Sequence, residues 1–135
     1  MTALSGIRAA LQAALAGMTP ALATASENTA YTPVVDTPYQ RVNLLWNTPD
    51  NSEIGPNYVQ PGLFVVTLVY PINTGPTAAA ARAQLLRDTF KRGFSFVSGG
   101  TVVTIDKTPE LRPAQIDGDR YSLPVRIPFT ASITA

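Results

Sequence analysis

The sequence lacks cysteine and histidine altogether, and only 14% of its 135 residues are charged. Without cysteine there is no disulfide framework and no thiol chemistry. Without histidine, the commonest general base and the commonest transition-metal ligand are missing. Ten basic and nine acidic residues give a net charge of +1, with no block of like charge. This pattern argues against a dedicated nucleic-acid binder, which needs a basic stripe for the phosphates.

The low charge also limits what can cover the surface, where Thr, Ser, Asn, Ala and Pro replace charged residues. Interface cores are depleted of charge, so this composition is typical of a subunit partly buried by neighbours. A neutral soluble protein would have the same composition. Arg8 interrupts the apolar N-terminal region, and no apolar run approaches the ~20 residues of a membrane span. We therefore expect a cytoplasmic product with no signal peptide and no membrane helix.

Carboxylates are the only strong metal ligands left, and they are scattered. The nearest neighbours are Asp50 with Glu53 and Asp117 with Asp119, in two turn-like segments. Neither segment has the spaced acidic ligands and the closing Glu of a calcium loop, so turn chemistry explains them better. No nucleophile elbow, S-x-x-K arrangement or phosphate-binding glycine loop is present. We predict a protein that is not an enzyme, with no catalytic residue, metal site or cofactor.

Two segments have the apolar spacing of helices that bury one face. Thr2 or Ser5 can cap the first helix. In the second, Asp88 and Arg92 are four residues apart, which predicts an ion pair along the helix. The two predicted helices span residues 3–17 and about 77–91.

Alternating or continuous apolar runs predict the strands. The run LFVVTLVY at 63–70 is apolar on both faces, so we expect both faces of this strand to be covered. Gly99-Gly100 and Asp117-Gly118 mark hairpin turns. The clearest strands are 39–45, 63–70, 94–97, 101–105 and 121–129, with weaker extended material at 22–32 and 109–116.

Two prolines restrict how the last strand can pair. Pro124 and Pro128 are four residues apart, so their missing N–H groups lie on the same side of the strand. That side cannot carry a full hydrogen-bond ladder. The strand is therefore expected to be an edge, or to pair continuously on one side only.

Residues 46–61 have neither helical nor strand periodicity, and they contain three prolines, Gly55 and three asparagines. The pattern predicts a long loop or projecting arm, and loops beyond ~12 residues are usually functional or disordered. Trp46 stands at its root. This side chain either contacts a neighbouring subunit or closes the edge of the core.

The predicted elements define the fold class. The chain is predicted to be one α+β domain over residues 1–135, with a mostly antiparallel β-sheet of about six strands. Two helices pack on this sheet, and the long loop at 46–61 extends from it.

Several short segments follow one another in an order that resembles the tail terminator-like proteins of siphophages and prophages. The resemblance covers nearly the whole chain, and the order of the pieces makes it specific. The segments are 18–25 (MTPALATA), 37–45 (TPYQRVNLL), 61–64 (PGLF), 66–71 (VTLVYP), 74–76 (TGP), 80–83 (AARA), 90–93 (FKRG), 117–121 (DGDRY) and 123–129 (LPVRIPF).

The resemblance implies a structural virion protein that forms a hexameric ring at the head-proximal end of the tail. Such a ring docks on the last ring of tail tube protein, ends tube growth and presents a surface to the head–tail connector or head-completion protein. DNA passes through its lumen without sequence-specific binding. The protein would be made in the host cytoplasm, reside at the neck end of the virion tail and make no membrane contact.

The candidate contact residues are aromatic and charged side chains on strands or in the long loop. For the arginines, the alternative is a solvated face without a partner. The segment from 46 to 58 is where we expect departure from relatives. The candidates for subunit or partner contacts are Arg41, Trp46, Asp50, Glu53, Tyr58, Arg112, Arg120 and Arg126.

Two other functions fit the same sequence. The chain can be another component of the same tail assembly, either a tube subunit or a head-closure protein. A more remote alternative is a small-ligand binding domain, or a hydrolase that uses two of the nine carboxylates.

Overall fold

A computed structural model describes residues 2–34, 36–51 and 54–133. The regular elements within these ranges are two helices and eight strands. In chain order they are α1 (Ala3–Ala16), β1 (Ala23–Ala25), β2 (Tyr39–Trp46), β3 (Tyr58–Pro71), α2 (Thr77–Thr89), β4 (Ser95–Ser98), β5 (Thr101–Ile105), β6 (Glu110–Leu111), β7 (Gln115–Asp117) and β8 (Arg120–Ile133).

One sheet contains all of these strands, in the order β1-β2-β3-β8-β5-β4, while β6 and β7 also pair with β8. Only β1 and β2 are parallel, and the other pairs are antiparallel. The predicted α+β class is confirmed. The strand count exceeds the predicted six because the weaker extended segments form short strands of two or three residues. The hairpins at Gly99-Gly100 and Asp117-Gly118 are confirmed.

The centre of the sheet is the antiparallel pair β3–β8, which runs in register from Tyr58↔Ile133 to Pro71↔Arg120. Every second residue of both strands faces the helices, so large apolar side chains meet in one layer. The buried core on this helix-covered face includes Phe64, Val66 and Leu68 of β3, Val125, Ile127 and Phe129 of β8, Ile7, Leu11 and Leu15 of α1, and Ala79, Ala83 and Leu86 of α2.

The expectation that both faces of the central strand are covered holds only at one end, where Val69 packs with Tyr39 and Ala25 in a second, smaller buried cluster. Both helices pack on one face, and Leu63, Val65 and Thr67 on the other face are half-buried. Their shielding comes from cross-strand neighbours: Leu63 lies between Leu45 and Pro128 in the register. Apolar side chains on a strand can thus be partly covered within the sheet, without a second layer. We call this side of the sheet the open face.

The prediction from the two prolines is confirmed in its second form. β8 pairs over its full length with β3, while three separate strands share its other side. The carbonyl oxygens of Pro124 and Pro128 accept hydrogen bonds from Arg112 N and Asp106 N, at 2.9 and 3.0 Å. In an antiparallel strand, N–H and C=O of one residue point to the same neighbour. The missing donors therefore face the interrupted side.

Helix α1 begins as predicted, because the Thr2 hydroxyl accepts a hydrogen bond from Ser5 N at 3.2 Å. Helix α2 ends at Thr89, two residues earlier than predicted. Phe90 leaves the helix with φ −107° and ψ 56°. Its ring centroid then lies 6.0 Å from that of Phe64.

The predicted ion pair between Asp88 and Arg92 is therefore wrong. Arg92 lies beyond the end of α2, so it is not one helical turn after Asp88. Asp88 instead accepts a hydrogen bond from Gln84 Nε2 at 3.1 Å.

The loop after Trp46 is shorter than predicted. Trp46 belongs to β2 and residues 58–61 belong to β3, so the loop is confined to 47–57 rather than 46–61, and its described parts, 47–51 and 54–57, lie outside the named helices and strands. Asp50 and Val59 exchange two backbone hydrogen bonds of 2.8 and 3.0 Å, which fix the near half of the loop against β3. The apolar run alone did not indicate this extension of β3, because Pro61 and Gly62 weaken the strand pattern.

Gly62 makes room for the aromatic contacts at this end of the sheet. A Cβ atom here would lie 2.6 Å from Leu45 O and 2.6 Å from Phe129 Cζ. Trp46, which pairs with Gly62 in the register, meets the Phe129 ring edge to face at a centroid distance of 6.4 Å. The absent side chain thus lets Phe129 lie across the strand beside Trp46.

We predict that Gly62→Ala lowers the free energy of unfolding by about 1–3 kcal/mol, because the added methyl group overpacks a rigid site. Chemical denaturation of the purified protein measures the change. Gly17→Ala is the matched control, because its Cβ would lie no closer than 3.5 Å to another atom. Equal stability of Gly62→Ala and the unsubstituted protein would contradict this account of the packing.

Candidate functional site

The open face of the sheet gathers the four predicted arginines. Arg41 of β2 and Arg126 of β8 point away from the helices, by their register with Thr67 and Val65 of β3. Arg120 begins β8 on the same face, and Arg112 directly follows β6. The structure thus brings together residues separated by up to 85 positions in the sequence.

Tyr39 is the centre of one arginine cluster on this face. Its hydroxyl accepts a hydrogen bond of 2.6 Å from Arg41 Nη2. The guanidinium carbons of Arg41 and Arg120 lie 5.6 and 5.5 Å from the centroid of its ring, which is cation–π distance. Tyr31 packs against the same ring at a centroid distance of 5.0 Å. The aromatic ring therefore orders two positive charges at one end of the open face.

Arg120 also has a clear structural role. Its two terminal nitrogens donate to Thr37 O and Val34 O, each at 2.7 Å. Charge-assisted bonds to two carbonyls are stronger than neutral ones, so this side chain fixes the connection into β2. The simple alternative of a solvated arginine does not apply to Arg120.

A groove of about 520 Å³ holds the other two arginines. Arg112 Nη1 forms an exposed ion pair with Glu110 Oε1 at 2.7 Å. This hydrogen bond from Arg112 is the main reason that the pKa of Glu110 lies below its usual value. Arg126 has no hydrogen bond or ion pair among the described residues. The groove is lined by Asn43, Leu45, Val65, Arg112, Pro113, Gln115, Pro124 and Arg126.

The remaining predicted contact residues lie elsewhere, near the loop at 47–57. Trp46 remains 41% exposed although its ring touches Phe129, so it both closes the core edge and reaches the surface. Tyr58 is half-buried against the core, and Asp50 is exposed. Glu53 lies outside the described residues. The eight predicted residues therefore do not form one site.

Sequence reasoning missed a buried arginine. Arg82 is 5% exposed, and its Nη1 donates to Pro20 O. Burial lowers the pKa of Arg82 and raises the pKa of neighbouring Tyr70, against the attraction between the two groups. Arg82 follows Ala79 by three positions and precedes Leu86 by four, which places it on the buried stripe of α2. This spacing in the sequence is the signal from which the burial of Arg82 could have been predicted.

Among residues 2–34, 36–51 and 54–133, no three acidic side chains lie together as a metal site. In the same ranges, neither helix is long and apolar enough to cross a membrane.

A profile of the phage tail terminator protein family matches residues 6–129. The chain belongs to this family. The resemblance stated from the sequence is confirmed, and it identifies a structural protein of the phage tail. No curated protein sequence matches the chain at a significant level.

Two solved structures have the same fold as this tail terminator family member. One superposes with a TM-score of 0.77 at 25% sequence identity, over 96% of this chain and 95% of the other. A chain from the virion of a native gene transfer agent particle superposes with a TM-score of 0.69 at 14% identity, over 98% of each chain. The second similarity shows a shared fold across nearly full-length chains.

We predict that Arg120→Ala lowers the free energy of unfolding by about 1–3 kcal/mol, because two carbonyls lose a charged donor. Urea denaturation measures the change. Arg126→Ala is the matched control on the same strand and face, with an expected effect within about 0.5 kcal/mol. Equal effects of the two substitutions would show that Arg120 does not hold the segment before β2.

Proposed function

We propose that this protein caps the head-proximal end of the phage tail tube. In this role it ends tube polymerisation and forms the surface to which the head joins. The observation that carries the proposal is the match of the tail terminator family to residues 6–129, which span nearly the whole chain. The proposed role is structural and needs no catalytic group.

The capping unit is proposed to be a closed ring of six copies. A ring of identical subunits uses a heterologous interface, in which two different patches of one chain meet, and closure prevents growth into a fibre. The low charge of the sequence supports extensive burial between copies. The open face, with its half-buried apolar side chains and its arginines, offers a surface for such contacts or for other virion proteins.

The proposed partners follow from the position of the ring. One side docks on the last ring of the tube protein, and the other side meets the connector or head-completion protein. DNA passes through the lumen during packaging and ejection. The nearly neutral sequence supports passage without tight binding, because strong phosphate contacts would hold the DNA in place.

The first test is electron microscopy of lysates from a phage that lacks this gene. We expect abnormally long tails without heads, because nothing stops tube growth. Complementation with the intact gene should restore normal virions. This control separates loss of the protein from effects on neighbouring genes.

Other results in the same images identify the alternatives. Tails of normal length beside unattached, filled heads would indicate a head-closure protein. Lysates without any tubes would indicate the tube subunit. Normal virions would contradict every structural role in the tail and would favour the alternative of a small-ligand binding domain.

A further inference from the structure

The two edges of the sheet carry different surfaces, and one row of paired residues across the strands connects them. One cross-strand row runs from Asp50 to Val59, Ser132, Val102 and Val97. The loop at 47–57 lies at the Asp50 end of this row, and edge strand β4 lies at the other end. One chain therefore presents a projection and an edge groove on opposite sides.

The loop carries an exposed apolar residue and negative charge. Ile54 is fully exposed, although its side chain is large and apolar. Asp50 is exposed and forms no ion pair within the described residues. The sequence of 47–57 contains no basic residue. This loop is hereafter called the acidic loop.

The opposite edge has an apolar groove of about 510 Å³ between α1 and β4. Small side chains of α1 leave the space open, and Phe96 and Val97 form the β4 side. Lys91 and Arg92 follow the lining residue Thr89, and neither forms an ion pair in the described part of the chain, although Lys91 Nζ lies 5.8 Å from the centroid of the Phe94 ring. The groove is lined by Ala10, Ala13, Ala14, Gly17, Met18, Thr89, Ser95, Phe96 and Val97. We call it the edge groove.

The acidic loop does not fill the edge groove of its own chain, because Ile54 is fully exposed and no described residue of the loop lines the groove. Strands are about 4.8 Å apart, so the four spacings from Asp50 to β4 amount to about 19 Å measured along the sheet. Asp50 pairs with Val59 and Tyr58 already belongs to β3, so the connecting stretch of sequence comprises residues 51–57. At about 3.4 Å per residue, that segment reaches about 12 Å out and back. The packed helices lengthen the path further.

We propose that the acidic loop of one copy docks in the edge groove of the next copy. Ile54 enters the space between α1 and β4, and Asp50 faces Lys91 and Arg92. Apolar shape and opposite charge both favour this pairing over contact between two like surfaces. The two patches lie on opposite edges, so one rotation repeats the contact around a ring. This inference rests on the proposed ring.

Cysteine crosslinking tests the contact directly, because the chain has no native cysteine. Ile54→Cys is combined with Ala13→Cys, at two exposed positions. Tails are assembled in cells with the double variant as the sole copy and are then oxidised. We expect a ladder of disulfide-linked multimers on non-reducing gels. Each single variant should give at most a dimer.

The matched control joins Ile54→Cys with Gln115→Cys, an exposed position in the groove of the open face. We expect at least tenfold less multimer from this pair. Equal crosslinking, or more from the Gln115→Cys pair, would overturn the proposed contact. Tails of normal length without crosslinks from either pair would also overturn it, while leaving the capping function intact.

A charge exchange gives a second readout that does not depend on oxidation. Asp50→Lys should lower phage titre at least tenfold, and adding Lys91→Asp and Arg92→Asp should restore it. Failure of the triple variant to exceed Asp50→Lys, with both proteins folded by circular dichroism, would contradict the pairing. Normal virions from the gene deletion would instead contradict the proposed function itself.

Discussion

The pairing of β3 with β8 is the constraint on which the rest of the structure depends. Fourteen residues of each strand lie in register, and Pro124 and Pro128 direct their missing donors away from β3. Strand β8 therefore has a complete hydrogen-bond ladder on the side of β3 and an interrupted one on its other side. The short strands β5, β6 and β7 each pair with a different part of that side. The chain turns between them on its way from Ile105 to Arg120.

In this arrangement, the main hydrophobic core and the surfaces that are available to partners lie in different parts of the sheet. The helices cover one face, while the other face collects the arginines around Tyr39 and in the groove beside Arg126. At the sheet edges, the acidic loop follows β2 and the edge groove borders β4. A subunit with distinct open surfaces suits a ring that must also meet a tube and a head, as the terminator function proposed here requires.

Much of the fold follows from local sequence rules. The helix start at Thr2, the two hairpins and the one-sided pairing of β8 depend on neighbouring residues, and all were predictable. The features that were not predictable depend on distant contacts. Helix α2 ends just before Phe90, whose ring packs near that of Phe64, and the buried Arg82 donates a hydrogen bond to Pro20 O, 62 positions away in the sequence. For the same reason the arginines could be named from the sequence, but not their arrangement around Tyr39.

The central claim is that this protein stops tail-tube growth at one end. The most direct measurement adds the purified, gold-labelled protein to tube subunits during polymerisation and records tube length and label position by electron microscopy. The account predicts shorter tubes as the ratio of added protein rises, with label at one end of each tube. Label distributed along the tubes, or tube lengths that do not change, would contradict it.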